Sequence, residues 1–482
     1  MSQLAGQATR TSIKPVRRMT VATATSVFLL LWFLVQQVQQ IDAGSPTGDD
    51  IVQATQSGSV FNEMLVASYA LVGAYHLTRG QHALTRARVR SIALLLGIYL
   101  AWAFLSLLWS VDPGLTFKRY IEMLLVVIGS VGLGLGFYGE IRHGTQVLAA
   151  HLVIASCMSI VVLWISIGLH GGPDLLNPAW SAKSFGVGTP IIYPIAFGVF
   201  ASIWLAFRGV RWRQMLLLAA VSIICLIAIK GRFILAFTVV LAALLPLLEL
   251  RIGWRRLAIY AGAGGLVAYA LGIVAALGGS PALGSIGDTL FAYGTLDGGD
   301  SGLVTLTGRT PLWDELGRYF AAQPWLGYGF GAFWNPEFMP AIWSVVGWNA
   351  PVAHNGFIDE ALATGVIGLF LFLALWLTGI WHSIRLRVMD GDADAILVIA
   401  FMVFFLACNL GDSLMQTYAR FPFYVSLTAL FTVLGARLAS RRPQSLTRIA
   451  PIMRVSEVSN RPRDESALTG MTTSRNASSS NP

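Results

Sequence analysis

The residue in this chain best placed for proton transfer is His354. It stands in Ala353-His354-Asn355-Gly356, directly ahead of an apolar run expected to be helical from about residue 358. A helix N-terminus disfavours a charged imidazole, so the ring stays neutral near neutral pH and can accept a proton. A histidine that merely caps the helix has the same signature, and spacing alone leaves both readings open. Of the seven histidines, His354 is the only one in the long polar stretch from about 279 to 357.

The same stretch holds other groups that could do chemistry. Thr310-Pro311 reads as a helix start, a capping hydroxyl followed by a proline at the first helical position. Asp314 and Glu315 suit the positive end of the helix dipole. Leu312, Trp313, Leu316, Tyr319 and Phe320 recur at helical spacing, which predicts an amphipathic helix along the membrane surface, ending before Pro324. Arg309 lies just outside its start. Arg318 follows Asp314 by four residues, the spacing of an intrahelical ion pair. From Trp325 to Gly331 glycine alternates with bulk, which predicts a tight turn near a ligand or another helix. Trp325, Trp334, Trp343 and Trp348 could stack on sugars or form an aromatic belt at the membrane interface.

The elements that must position these residues are membrane helices. Hydrophobic residues make up 55% of the chain and charged residues 12%, with a mean hydropathy of +0.66, well outside soluble composition. Continuous apolar runs recur at 21–41, 60–77, 91–108, 120–137, 145–169, 189–207, 214–229, 233–248, 257–278, 358–381, 394–410 and 421–436. Each suits a helix crossing about 30 Å of hydrocarbon, and unbroken apolarity excludes an alternating β-barrel. The fold expected is an all-α integral membrane protein of about twelve spans, with short amphipathic helices in a long outer loop between spans nine and ten. The segment 214–248 would be roughly 52 Å as one helix, too long for a single crossing, so two helices must meet in a hairpin at Lys230-Gly231-Arg232. Cys157, Cys225 and Cys408 all lie in apolar runs and read as small buried hydrophobes.

Orientation follows from charge. With the N-terminus in the cytoplasm, 25 of the 33 lysines and arginines fall on the cytoplasmic side, as the positive-inside rule requires. This distribution, rather than the net charge of +9, also argues against nucleic-acid binding. The eight on the far side are Lys118, Arg119, Lys183, Lys230, Arg232, Arg309, Arg318 and Arg420, and each needs a reason to be there. Residues 1–20 read as a cytoplasmic tail, 21–278 as spans one to nine, 279–357 as the outer loop, 358–436 as spans ten to twelve, and 437–482 as a disordered cytoplasmic tail. Arg17-Arg18 ahead of 21–41, with no clear cleavage site after it, reads as a signal anchor.

In this order, four elements resemble the O-antigen ligase and Wzy-type polysaccharide polymerase superfamily. They are Trp109-Ser110-Val111-Asp112-Pro113, the basic hairpin at Gly231-Arg232, the run from Gly308 to Gly331, and Ala353-His354-Asn355 with Gly365–Gly368. Gly231 stands where serine is usual, Thr307 where serine often precedes Gly-Arg, and Lys230 is an additional charge. The resemblance implies metal-independent transfer of a glycan from a polyprenyl-pyrophosphate carrier to an acceptor hydroxyl, at the periplasmic face of a bacterial inner membrane, with both termini cytoplasmic and no cofactor. The acceptor is a second glycan or lipid A-core. It assigns His354 as general base, with Arg232 and Arg309 stabilising the departing pyrophosphate. Lys230, Arg318, Trp325 and Asn355 are candidate substrate contacts.

Asp390-Gly391-Asp392-Ala393-Asp394 superficially suggests a metal-nucleotide Asp-x-Asp, but its cytoplasmic place ahead of a span reads as a turn and helix start. Two other classes fit a chain of twelve spans: a transporter or flippase, and a non-catalytic export component. Against transport, the spans are almost free of charge and the unusual polar residues gather at one face.

Overall fold

The computed structural model describes residues 60–80, 87–140, 144–169, 189–229, 232–249, 309–415 and 421–440. Among these, every regular element is helical: α1 (Val60–Gly80), α2 (Ala87–Leu105), α3 (Pro113–Glu140), α4 (Gly144–Leu169), α5 (Thr189–Phe207), α6 (Trp212–Ile229), α7 (Arg232–Glu249), α8 (Arg309–Ala322), α9 (Phe338–Val346), α10 (Gly356–Met389), α11 (Asp394–Cys408) and α12 (Phe421–Ser440). Ten of the expected spans coincide with helices; those at 21–41 and 257–278, and the two tails, lie outside the described residues. Five segments are long and apolar enough to cross a membrane: Val89–Leu108, Pro113–Gly136, Gly144–Gly168, Trp212–Ile229 and Gly356–Met389. Four shorter apolar helices accompany them.

The bundle is centred on α5, whose residues from Ile191 to Ser202 are all buried. Phe197 of α5 packs edge-on against Phe404 and Phe421 and tilted against Phe401, joining α5 to α11 and α12. Helices α1 and α3 approach more closely still. A Cβ on Gly73 would lie 2.4 Å from Gly129 Cα, and one on Gly132 would lie 1.9 Å from Gly73 O. Small residues allow such backbone contact where apolar lipid supplies little drive for helices to associate.

A second, smaller apolar core holds the segment from α8 to the start of α10. Leu312 and Leu316 of α8, Phe333 of the loop before α9, Met339 and Ile342 of α9, and Leu362 of α10 are buried together. The amphipathic α8 is therefore present, ending before Pro324 as expected. It begins two residues early: the helix starts at Arg309 rather than at Pro311, so Arg309 is its first residue rather than a flanking one and Thr310 lies inside it rather than capping it.

The two cores are joined at a break in α10. Gly365 takes φ 70°, ψ −176°, which interrupts the helical hydrogen-bond ladder. The glycine-rich loop repairs it. Tyr328 N donates to Leu362 O (2.8 Å), Gly329 N to Ala363 O (3.0 Å), and Val366 N to Pro324 O (2.9 Å). Trp102 Nε1 takes Thr364 O at 3.0 Å. Gly327, Gly329 and Gly331 all have positive φ, and a Cβ on Gly327 would sit 2.6 Å from Leu362 O. The tight turn expected of this loop is thus a turn against another helix.

The Trp109–Pro113 element grips the same loop from the other side. Val111 N donates to Tyr328 O at 3.0 Å, Trp109 Nε1 to Leu326 O at 3.0 Å, and Phe330 N to Ser106 Oγ at 3.0 Å. Asp112 Oδ1 accepts from Leu115 N at 2.9 Å and so caps α3, with Pro113 as that helix's first residue.

Gly327→Ala should lower stability by at least about 2 kcal/mol, since both the left-handed backbone and the carbonyl contact oppose a Cβ. Gly317→Ala, in α8 with nothing within 4 Å of the added carbon, should raise it by about 0.5–1 kcal/mol. Thermal unfolding of the purified protein in detergent, followed by tryptophan fluorescence, measures both.

Candidate active site

His354 is carried by a turn whose preceding peptide is fixed from both sides. Ala353 N donates to Asp359 Oδ1 (3.1 Å) and Oδ2 (3.3 Å), while Ala353 O accepts from Trp313 Nε1 at 2.8 Å. Asp359 is buried in the first turn of α10 and also accepts from Trp334 Nε1 at 2.7 Å. His354 itself has φ 51°, a left-handed conformation uncommon outside glycine, though histidine is among the residues enriched there. Its ring is half-buried and stacks on Trp348 at 5.7 Å.

Capping belongs to the next residue. Asn355 Oδ1 accepts from Phe357 N (3.0 Å) and Ile358 N (3.3 Å). The capping alternative for His354 is thereby removed, and the amide oxygen of Asn355, a candidate substrate contact, is engaged in holding the helix start.

Arg309 reaches this region through α8. Arg309 and Trp313 are four residues apart and so share one face of the helix. Trp313 binds Ala353 O, and Arg309 Nη1 donates to Gly411 O at 3.0 Å. Gly411 lies in the segment following α11, onto which the start of α10 is also seated: Gly356 N donates to Asn409 O (2.9 Å) and Asp412 O (3.0 Å). A Cβ on Gly356 would fall 1.9 Å from Asn409 Oδ1, which explains the glycine after His354-Asn355. Asn409 shapes its own turn by accepting from Leu414 N and Met415 N. Burial draws the Arg309 guanidinium below its ordinary value, and the nearby Asp412 carboxylate opposes that shift. Asp412 is in turn bound by the hydroxyl of Tyr193, from α5, and by Ser413 N at 2.8 Å.

The other expected residues are placed less centrally. Arg318 is 79% exposed and pairs with Glu315 at 2.9 Å, not with Asp314 as its spacing suggested, because the i, i+3 neighbour was the closer partner. Trp325 is 66% exposed. Arg232 opens α7, three residues beyond the end of α6, and nothing is described of its side chain. Lys230 lies outside the described residues, as do Lys183 and Arg420. Lys118 pairs with Glu63 at 3.4 Å and Arg119 with Glu122 at 2.9 Å. Three of the outer cations thus have carboxylate partners in ion pairs, whereas Arg309 spends its hydrogen bond on a carbonyl.

The aspartate-rich turn is structural. Asp394 accepts from Arg208 at 3.1 Å, and Asp392 Oδ1 caps Asp394 N. Among the described residues no group of three or more His, Cys, Asp or Glu is arranged to hold a metal.

Sequence reasoning missed Asp359, Glu360 and Asp412. The spans are less charge-free than expected, because α10 buries both Asp359 and Glu360. Tyr99 and Thr364 satisfy Glu360, at 2.9 and 2.8 Å. A carboxylate inside an apolar span marks a site by its burial cost, and that signal was available in the sequence.

A family model described as O-antigen ligase matches residues 217–373, which include residues 230–232, α8, α9, Arg309 and His354. The exopolysaccharide production protein ExoQ of Rhizobium meliloti (strain 1021) is 28% identical over 152 residues, which is 30% of this chain. The match covers 34% of that relative, so the chain spans about a third of its length. Both findings support the O-antigen ligase and Wzy-type superfamily.

Asp359→Ala should strand the Trp334 indole and the Ala353 amide, a loss on the order of 3 kcal/mol. Asn355→Ala should cost about 1 kcal/mol and Asn355→Asp far less, since aspartate also caps. Unfolding midpoints of the purified variants test the ranking.

Proposed function

Within the O-antigen ligase and Wzy-type superfamily, we propose that this multi-pass membrane protein transfers a glycan from a polyprenyl-pyrophosphate carrier to a sugar hydroxyl. The reaction takes place at the outer face of the bacterial inner membrane. The acceptor oxygen bonds to the donor's anomeric carbon as the bond from that carbon to the pyrophosphate oxygen breaks. The bonding pair leaves with the pyrophosphate, and the hydroxyl proton passes to His354. Arg309, with Arg232 from the hairpin, meets the charge that develops on the leaving group, and Lys230 adds to it. Arginine rather than a metal ion supplies the positive charge in this reading. The carrier's prenyl chain remains among the apolar helices.

One observation carries the proposal. A single face of α8 ties the His354 turn to the 409–412 segment, through Trp313 on Ala353 and Arg309 on Gly411. A base and a permanent cation are thereby organised by one helix, as transfer from a pyrophosphate requires. A transporter has no need of a histidine on a rigid, strained turn. Similarity to an exopolysaccharide production protein favours polymerisation, with a second carrier-linked oligosaccharide as acceptor, over attachment to lipid A-core.

The test is complementation of a deletion strain with His354→Ala, Arg309→Ala, Arg232→Ala and Arg318→Ala, after checking membrane levels. The first two should insert normally and lower long-chain or attached glycan by roughly 100-fold or more. Arg232→Ala should fall with them, and Arg318→Ala should match wild type. Loss of chain length identifies a polymerase, and loss of lipid A-core attachment a ligase. Full complementation by both His354→Ala and Arg309→Ala would falsify the assignment.

A further inference from the structure

The four tryptophans around the His354 turn do different jobs. Trp313, Trp334 and Trp343 each spend the indole N–H on holding the fold, at Ala353 O, Asp359 Oδ1 and Ala350 O. Trp348 does not: its Nε1 is buried and makes no hydrogen bond among the described residues. A buried donor left unpaired is unfavourable by about 1–3 kcal/mol, so the fold gains nothing from an indole's polar edge at this position. What Trp348 does offer is its face. The ring stacks on the His354 imidazole with centroids 5.7 Å apart and planes 30° from parallel.

Both partners of the stack are held by backbone hydrogen bonds. Gly347, left-handed at φ 80°, closes α9 by donating to Trp343 O at 2.9 Å. Ala350 N then folds back onto Trp348 O at 3.0 Å, while Ala350 O is taken by the Trp343 indole at 2.8 Å. On the other side, the doubly bound Ala353 peptide fixes the backbone from which His354 projects. The stack is therefore preorganised, and its strained member is the candidate base.

We propose that Trp348 is a positioning residue of the transfer reaction, its indole face fixing the plane of the His354 ring and stabilising the imidazolium formed when that ring takes the acceptor's proton. This rests on His354 being the base. The electron-rich indole face attracts a cation laid against it and does so better than a phenyl ring. The interaction is stronger after proton transfer than before it, as catalysis requires.

Among the described residues, the charged groups that bind this turn or the segment beside it are Asp359 of α10, Asp412 of the segment after α11, and Arg309 of α8; α8 also carries Asp314 and the Glu315–Arg318 pair, α10 carries Glu360, held by Tyr99 and Thr364, and α9 carries none. The start of α10 and Arg309 oppose the imidazolium, while Asp359 and Asp412 favour it. All remain when Trp348 alone is changed, so the change isolates the indole. The sign follows: a face that favours the charged ring raises its pKa, and removing it lowers the pH at which half the rings are protonated.

The experiment is a pH titration by NMR of the full chain in detergent, with carbon-13 in its histidine rings. His354→Gln assigns the resonance. In Trp348→Leu the His354 midpoint should fall by roughly half a pH unit, and its ring signals should move downfield as the indole's shielding is lost. Trp348→Phe, which keeps a ring, should move both in the same direction by less. Trp348→Leu should also lower glycan output in cells at wild-type membrane levels. Unchanged titrations in both variants overturn the proposal, and so does a Trp348→Leu strain with normal output alongside an inactive His354→Gln strain. Full activity of His354→Gln instead overturns the base assignment, whatever the titrations show, and the two failures are thereby told apart.

Discussion

The candidate site depends on one buried carboxylate. Asp359 gathers the Trp334 indole and the Ala353 amide onto the first turn of α10, and the left-handed turn at His354 is held only because its neighbour cannot move. A carboxylate taken out of water is expensive unless its oxygens are occupied. That expense makes the arrangement specific: any register of the 350–355 segment that failed to bring a donor to Asp359 would leave it unsatisfied. The helix start at Gly356 locks in place by the same logic, since Asn409 leaves no room there for a side chain.

The second constraint is the exchange of hydrogen bonds at Gly365. A helix broken in the bilayer must have its freed groups satisfied by protein, because lipid offers none. The glycine-rich loop and Trp102 supply those partners. A loop used in this way cannot drift relative to the helix, so α8, which leads directly into it, is set in register with α10 and with the His354 turn. Arg309 inherits its position from that register.

Much of this was legible in the amino acids, and the pattern of what was not is physical. The helices follow from continuous apolar runs, and His354 and Arg309 stand out because a polar interruption in a greasy chain leaves few alternatives. The start of α8 was placed two residues late, and Arg318 chose Glu315 over Asp314, since i+3 and i+4 partners differ by less than spacing can resolve. Asp359 was harder to see, because an acidic residue in a first turn already has a sufficient explanation in the helix dipole. The break at Gly365 was invisible: hydropathy runs unbroken across it, and the partners that repair it lie 34 to 42 residues earlier in the loop and 262 residues earlier at Trp102. Asp412 and Tyr193 meet only in three dimensions, 219 positions apart in the chain.

The mending of α10 by an outside loop also bears on how the chain is made. The loop is synthesised before α10 and, in the orientation argued from charge, has already been delivered across the membrane when that helix follows it. Until the two meet, the carbonyls of Leu362, Ala363 and Thr364 face a solvent with nothing to donate. Insertion of this span is therefore not complete when its apolar residues enter the lipid. It finishes only when the glycine-rich loop docks beside Gly365 and closes the gap, so the completion of this helix and the folding of the segment that carries His354 depend on one another.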